Sequence, residues 1–138
     1  MDIDAITAEI VDAAIKLHIA IGPGLLESVY GRLLAFELRR RGLTVYVQRK
    51  IAFEYNGFQF KSGLKVDLLV NDLVIVEIKS VMKLAPVHSK QLLTYLRLSK
   101  LQVGLLINFG EVRVKDGLHR VVNGYTPSAS SPLRVNQV

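Results

Sequence analysis

Leu64-Lys65-Val66-Asp67-Leu68-Leu69-Val70, then Asn71-Asp72, then Leu73-Val74-Ile75-Val76-Glu77-Ile78-Lys79 is the stretch on which the reading of this chain turns. Two aliphatic runs of strand length flank a pair of turn formers. Inside them stand Asp67, Glu77 and Lys79. A charge inside an aliphatic strand costs several kcal/mol unless it is paired or holds a metal ion. The register follows from the apolar phase. A two-residue loop would put Asp67 and Glu77 on opposite faces of the sheet. A three-residue loop, Asn71-Asp72-Leu73, sets Val70 opposite Val74 and Asp67 opposite Glu77. One face then reads Val66, Leu68, Val70, Val74, Val76, Ile78, and the other collects Lys65, Asp67, Glu77 and Lys79. A one-residue slip exchanges the faces, so the cleaner segregation sets the expectation. Two carboxylates across a ladder repel unless a proton or cation lies between them. Oxygen ligands suit a hard cation, Mg²⁺ or Mn²⁺, and a lysine beside them can orient water or neutralise charge on a phosphate.

Upstream, Val45, Val47, Ile51, Phe53 and Tyr55 alternate with polar residues as a half-buried strand. Asn56-Gly57 is a strong hairpin turn. Phe58–Lys61 returns, Ser62-Gly63 is expected to interrupt it, and Leu64 resumes. Two helices precede the strands. Ile6, Ile10, Ala13, Ala14, Leu17 and Ile21 recur at helical steps over residues 4–20, and Gly22-Pro23-Gly24 breaks the chain. Leu26, Val29, Leu33 and Phe36 mark a second helix from about Leu25 to Arg41, closed by bases and Gly42. Downstream, Pro86 opens a third helix to about Lys100, Gln102–Phe109 is a buried strand and Leu118–Val122 a short edge strand. The order α-α-β-β-β-β-α-β-β makes an α/β (α+β) fold, a central mixed sheet flanked by helices. One domain is expected over 1–122, with a loose Pro-, Ser- and Asn-rich tail over 123–138.

The chain has 138 residues, half of them hydrophobic and 22% charged, enough for one core. It has no cysteine, which excludes disulfides, thiolate metal sites and a thiol nucleophile. No signal pattern opens it and no apolar run reaches a membrane span, so a soluble, cytoplasmic protein is expected. Asp2, Asp4, Glu9 and Asp12 precede the first base, Lys16, yet the net charge is +6. The excess is densest at Arg39, Arg40 and Arg41, with Lys50 close behind. These four are the candidate nucleic-acid contacts; the plainer reading of the arginines is a helix C-terminus that favours bases. Other candidates lie on helices. Glu27 stands beside the stripe of the second helix as a third carboxylate, with Tyr30 one turn on. His88, Gln91 and Tyr95 share a face of the third helix; Gln91 and Tyr95 can hydrogen-bond a phosphate or base, and the plainer reading is an ordinary polar helix face. His18 reads as an interior, hydrogen-bonded histidine rather than a ligand.

Gly24-Leu25-Leu26-Glu27-Ser28-Val29-Tyr30, Asp67, Glu77-Ile78-Lys79, Gln91-x-x-x-Tyr95 and Gly104-Leu105-Leu106-Ile107-Asn108-Phe109 occur in that order. The combination resembles the GxxExxY proteins of the PD-(D/E)XK nuclease superfamily, over roughly residues 5–122. Val66 stands where the motif's proline would be. The resemblance implies a restriction-endonuclease-like core in which Asp67 and Glu77 hold Mg²⁺ (or Mn²⁺), helped by the Ile78 carbonyl. It implies that Lys79 handles the attacking water and that Glu27 is the auxiliary acid. Gln91 and Tyr95, with Tyr30, would position substrate. A metal-dependent nuclease acting on DNA before RNA is the leading expectation, with a homo-oligomer left open. The alternative is a non-catalytic nucleic-acid-binding or assembly module that keeps the fold.

Overall fold

The structure is a computed structural model and describes residues 1–125 and 136–137. Helix α1 (Ile3–Ile21) starts at Asp2, whose side chain accepts the Ala5 N–H at 2.8 Å. Helix α2 runs Glu27–Arg40. Strands β1 (Val45–Tyr55), β2 (Phe58–Val70) and β3 (Val74–Lys79) follow. Helix α3 (Pro86–Ser99) crosses to β4 (Val103–Asn108), and a short 3₁₀ turn leads to β5 (Leu118–Val122). Asn136–Gln137 form β6. The six strands pair in chain order. β3 and β4 are parallel, as are β5 and β6, and the other neighbours are antiparallel. This is the mixed, helix-flanked sheet that the sequence predicts.

Two cores form because both sheet faces are covered. On one, α1 and α2 pack Ile6, Ile10, Leu34 and Leu38 against Leu68, Val70, Val74, Val76 and Ile78. On the other, Leu92 and Leu96 of α3 pack against Val66, Leu69, Ile75 and Leu106. Central strands buried on both faces read as unbroken aliphatic runs, as in Val74–Val76 and Gly104–Ile107.

The β2–β3 register is the three-residue one: Val70 pairs with Val74 and Leu68 with Val76. Asn71 and Asp72 make it possible by taking φ of 50° and 56°, a region their short polar side chains tolerate. Asn71 also accepts the Thr44 N–H at 2.8 Å, tying the turn to the start of β1.

Three expectations are corrected. Ser62-Gly63 does not divide β2: the strand continues with a register shift between Ile51 and Phe53. Gly63 permits this, since a Cβ there would meet the Phe53 ring at 2.2 Å. Val66 does not share the face of Leu68; it belongs to the α3 core. The cause lies one step along β1 from its partner Arg49, at Gln48, whose φ is 53°. That conformation inverts the alternation, so Val47 packs on the α1–α2 side and Ile51 on the α3 side. β5 is not the edge at His119 and Arg120, where β6 pairs with it. The rest of the predicted tail, residues 126–135 and 138, lies outside the described residues.

Replacing Asn71 with Ala should cost about 1–2 kcal/mol, from a left-handed backbone without a tolerant side chain and a lost hydrogen bond. Urea melts check this: the midpoint should fall at unchanged slope, and an unchanged midpoint would show that the turn does not constrain the hairpin.

Candidate active site

β2 and β3 are paired only as far as Leu68 and Val76. Past that rung their backbones are joined by side chains. Asp67 Oδ2 accepts the Ile78 N–H at 2.7 Å, and Glu77 Oε1 accepts the Asp67 N–H at 3.2 Å. Each carboxylate thus bonds the backbone of the other's strand. Gln48, on the other flank, donates its side-chain amide to Asp67 Oδ1 at 3.3 Å. The three residues meet where β1 changes face and β3 leaves β2.

The electrostatics are unfavourable for two anions. Glu77 is only 7% exposed. Burial first, then the charge of Asp67 and the hydrogen bonding between the two carboxyls, push the Glu77 carboxyl up to about 9, while the Asp67 backbone N–H and then Lys79 pull it back. Tyr95 of α3 feels the same pair: burial, then Glu77 and Asp67, raise its phenol above the usual range. Its hydroxyl stays protonated at neutral pH and can donate a hydrogen bond toward this charge.

The end of β3 is held from two sides. Just past β4, the Phe109 N–H bonds the Lys79 carbonyl at 2.8 Å. The fully buried Asn108 accepts the Val81 and Gly110 N–H groups, each at 3.0 Å, and donates to the Val81 carbonyl at 2.9 Å. A Cβ at Gly110 would stand 2.1 Å from the Val81 carbonyl oxygen. From α2, Glu27 accepts the Ser80 N–H at 3.1 Å, and the Ser80 hydroxyl donates to the Leu25 carbonyl at 2.7 Å. Lys79 is therefore fixed next to Glu77, with Glu27 one residue beyond.

The sequence profile of the PD-(D/E)XK nuclease superfamily matches residues 4–121, most of the chain. The chain belongs to the PD-(D/E)XK nuclease superfamily. No curated protein and no solved structure matches the chain significantly. Membership agrees with the restriction-endonuclease-like arrangement of a mixed sheet between α1–α2 and α3. It makes nuclease chemistry and a nucleic-acid substrate the general frame for this protein. No helix among the described residues is long and apolar enough to cross a membrane.

For a superfamily member, the placement of the predicted residues is informative. Asp67, Glu77 and Lys79 come together, with Glu27 beside the strand end. Tyr95 faces the pair, and Gln91 stands exposed one turn before it on α3. Tyr30 is placed differently from a substrate contact. Its ring is fully buried and stacked on Phe109 at 4.4 Å, and its hydroxyl donates to Gly22 and accepts from the Leu25 N–H. It shapes the loop that leads into α2 at Glu27. His18 is an interior histidine, its Nε2 3.1 Å from the Phe109 carbonyl oxygen. His88 accepts the Ala85 N–H at the start of α3. The arginines sit at the far end of α2, about 20 Å from Glu27 at 1.5 Å per residue. Arg39 bonds the Val45 carbonyl, Arg40 pairs with Glu37, and Arg41 pairs with Glu9 and Asp12. Only Lys50, exposed and two residues past Gln48, lies near the site.

Gln48 and Asn108 were not among the predicted site residues. Asn108 had a signal, a lone amide closing an aliphatic strand. Gln48 had none, because a glutamine is ordinary on an alternating strand.

Among the described residues no three His, Cys, Asp or Glu side chains gather as a metal-ligand set. The donors at hand are the two carboxylates and the Ile78 carbonyl, which points along its N–H toward the parted strand. An all-oxygen set of this size suits Mg²⁺, which takes one or two carboxylates and fills its remaining positions from water and phosphate. Glu77 is buried and Asp67 half-buried, and like charges this close favour a cation between them, which this oxygen donor set fits.

The raised Glu77 carboxyl gives a signed expectation. Between the ordinary value of 4.5 and about 9 the folded chain holds a proton that the unfolded chain has released. Metal-free stability should therefore fall as pH rises through that window. Glu77→Gln, with no proton to lose, should flatten the decline in melting temperature. A wild-type melting temperature that holds or rises across the window would contradict the assigned environment.

Proposed function

We propose that this protein is a metal-dependent nuclease that hydrolyses phosphodiester bonds, with DNA the preferred substrate, and that it falls in the GxxExxY branch of its superfamily. The observation that carries the reading is the Asp67–Glu77 pair, one partner buried, set beside Lys79 at the mouth of two parted strands. An idle network would gain by losing such charges; a catalytic one needs them.

Asp67, Glu77 and the Ile78 carbonyl would hold Mg²⁺ or Mn²⁺. A divalent ion there supplies Lewis acidity toward a phosphate oxygen and toward water. The chain's own groups do the rest. The Lys79 ammonium orients the attacking water and offsets the negative charge that grows on the phosphate. Glu27, adjacent through Ser80, supplies a further acceptor for water. The Tyr95 hydroxyl and the Gln91 amide present donors to the substrate from α3. Water's oxygen bonds to phosphorus as the ester oxygen leaves with a proton.

Lys79→Met tests the assignment because it keeps much of the stem and removes the charge. With Mg²⁺ present the variant should stay folded and bind metal, and cleavage of linear or circular DNA should fall by ~10²-fold or more. A folded Lys79→Met that cleaves like the wild type would refute the role of the lysine. A loss of about 3–5 kcal/mol even in Mg²⁺ would make it a structural counter-charge instead. Wild-type protein that binds nucleic acid and cleaves none would be a binding module.

A further inference from the structure

Past the Gln48–Asp67 position the β1–β2 hairpin continues as a two-stranded arm to Asn56-Gly57. Its register sets Phe53 opposite Phe60 and Tyr55 opposite Phe58. Residues directly opposite share a face, as do residues two apart on one strand. All four aromatics therefore stand on one face. Phe53 stacks on Phe60 with ring centres 4.8 Å apart, and Phe58 tilts against Phe60 at the same distance. They remain open: Tyr55 is 67% exposed, Phe58 62% and Phe60 44%. The rung between them, Glu54–Gln59, borders a cleft with Leu98 and Lys100 near the end of α3. By alternation the aromatic face points away from that helix.

A cross-strand aromatic pair stabilises a hairpin, which accounts for the stacking of Phe53 and Phe60. A contiguous cluster of four rings, three of them exposed, is more than that requires. Its charge says what covers it. Arg49, Lys50, Lys61 and Lys65 lie along the arm against one acid, Glu54. Lys50 stands directly opposite Lys65, a like-charge pairing that weakens a sheet. Among the described residues neither lysine forms an ion pair. A second copy of the chain would bring the same positive charge to the contact. Rings interleaved with bases match a single strand of nucleic acid, whose unpaired bases stack on aromatics while its phosphates meet lysines. A duplex keeps its bases stacked on each other and offers the rings nothing.

We propose that the β1–β2 arm is a docking surface for single-stranded nucleic acid, with bases on Tyr55 and Phe58 and phosphates on Lys50 and Lys65. It rests on the nuclease reading and narrows its substrate to a single strand or a frayed end. The arm leads into the site: Tyr55 to Gln48 spans about 23 Å at the rise of a strand.

Anisotropy of a short labelled oligothymidine, and of a duplex of equal length, tests this with the full chain in a metal chelator, where no cleavage intervenes. The wild type should bind the single strand ~10-fold or more tightly than the duplex. Tyr55→Leu/Phe58→Leu keeps the apolar bulk and loses the rings; it should bind the single strand ~10-fold or more weakly, while Tyr55→Phe holds affinity. Lys50→Ala/Lys65→Ala should lower the slope of log affinity against log salt by about 1.4, at roughly 0.7 per phosphate contact. Unchanged affinity in the folded double-leucine variant would overturn the proposal. So would equal affinity for the two probes, or a wild-type dimer that the double-leucine variant dissociates, which would give the face to a second copy. Mg²⁺-dependent cleavage without ring-dependent binding would count against the arm alone, and ring-dependent binding without cleavage against the nuclease reading alone.

Discussion

Two hydrogen bonds cross the gap where β2 and β3 part, Ile78 N–H to Asp67 and Asp67 N–H to Glu77. Together they let a sheet open without leaving backbone donors unbonded, which a buried strand does not tolerate. The same bonds bring two carboxylates together at a low-dielectric position. Structural need and chemical capacity thus meet in one pair of residues. On the other flank Gln48 has a left-handed backbone that turns β1 over, and beyond it Ile51 and Val66 pack in the α3 core.

The rest of the fold keeps that pair and Lys79 in fixed relation. β3 is central, with aliphatic side chains packed on both faces, so its backbone has little freedom. Asn108 and Phe109 bind its end from β4, and Glu27 and Leu25 bind Ser80 from the other direction. Gly31 brings α2 close, its Cβ position 3.4 Å from Ile78 Cδ1. A site built on rigid strands and locked by bonds behind it is pre-organised. The arginine cluster, by contrast, is spent on closing α2 and joining it to α1 and β1.

Much of this was legible in the sequence because burial and periodicity are local. The helical stripes, the Asn56-Gly57 turn and the aliphatic strands each announced themselves. The β2–β3 register followed from asking where Asp67 and Glu77 could go, and Val70 does pair with Val74. What escaped depends on geometry that composition does not encode. A positive φ at Gln48 leaves no mark in a glutamine, so the change of face at Val66 was missed. Gly63 looked like a break because a glycine in a strand weakens it; here it makes room for the Phe53 ring. Tyr30 lay one turn from Glu27 and so read as a site residue. Its side chain turns inward to Phe109, and that partner stands just past β4, far along the chain.

Calorimetric titration with Mn²⁺, comparing wild type with Asp67→Asn and Glu77→Gln, asks directly whether the paired carboxylates hold a cation. Asn at 67 keeps an acceptor for the Ile78 N–H and removes only charge, so the clamp should survive. The wild type should take up the ion, and each folded variant should bind it at least ~10-fold more weakly, as for loss of a direct carboxylate ligand. Equal Mn²⁺ affinity in all three proteins would contradict the metal site and leave Asp67 and Glu77 as a structural clamp.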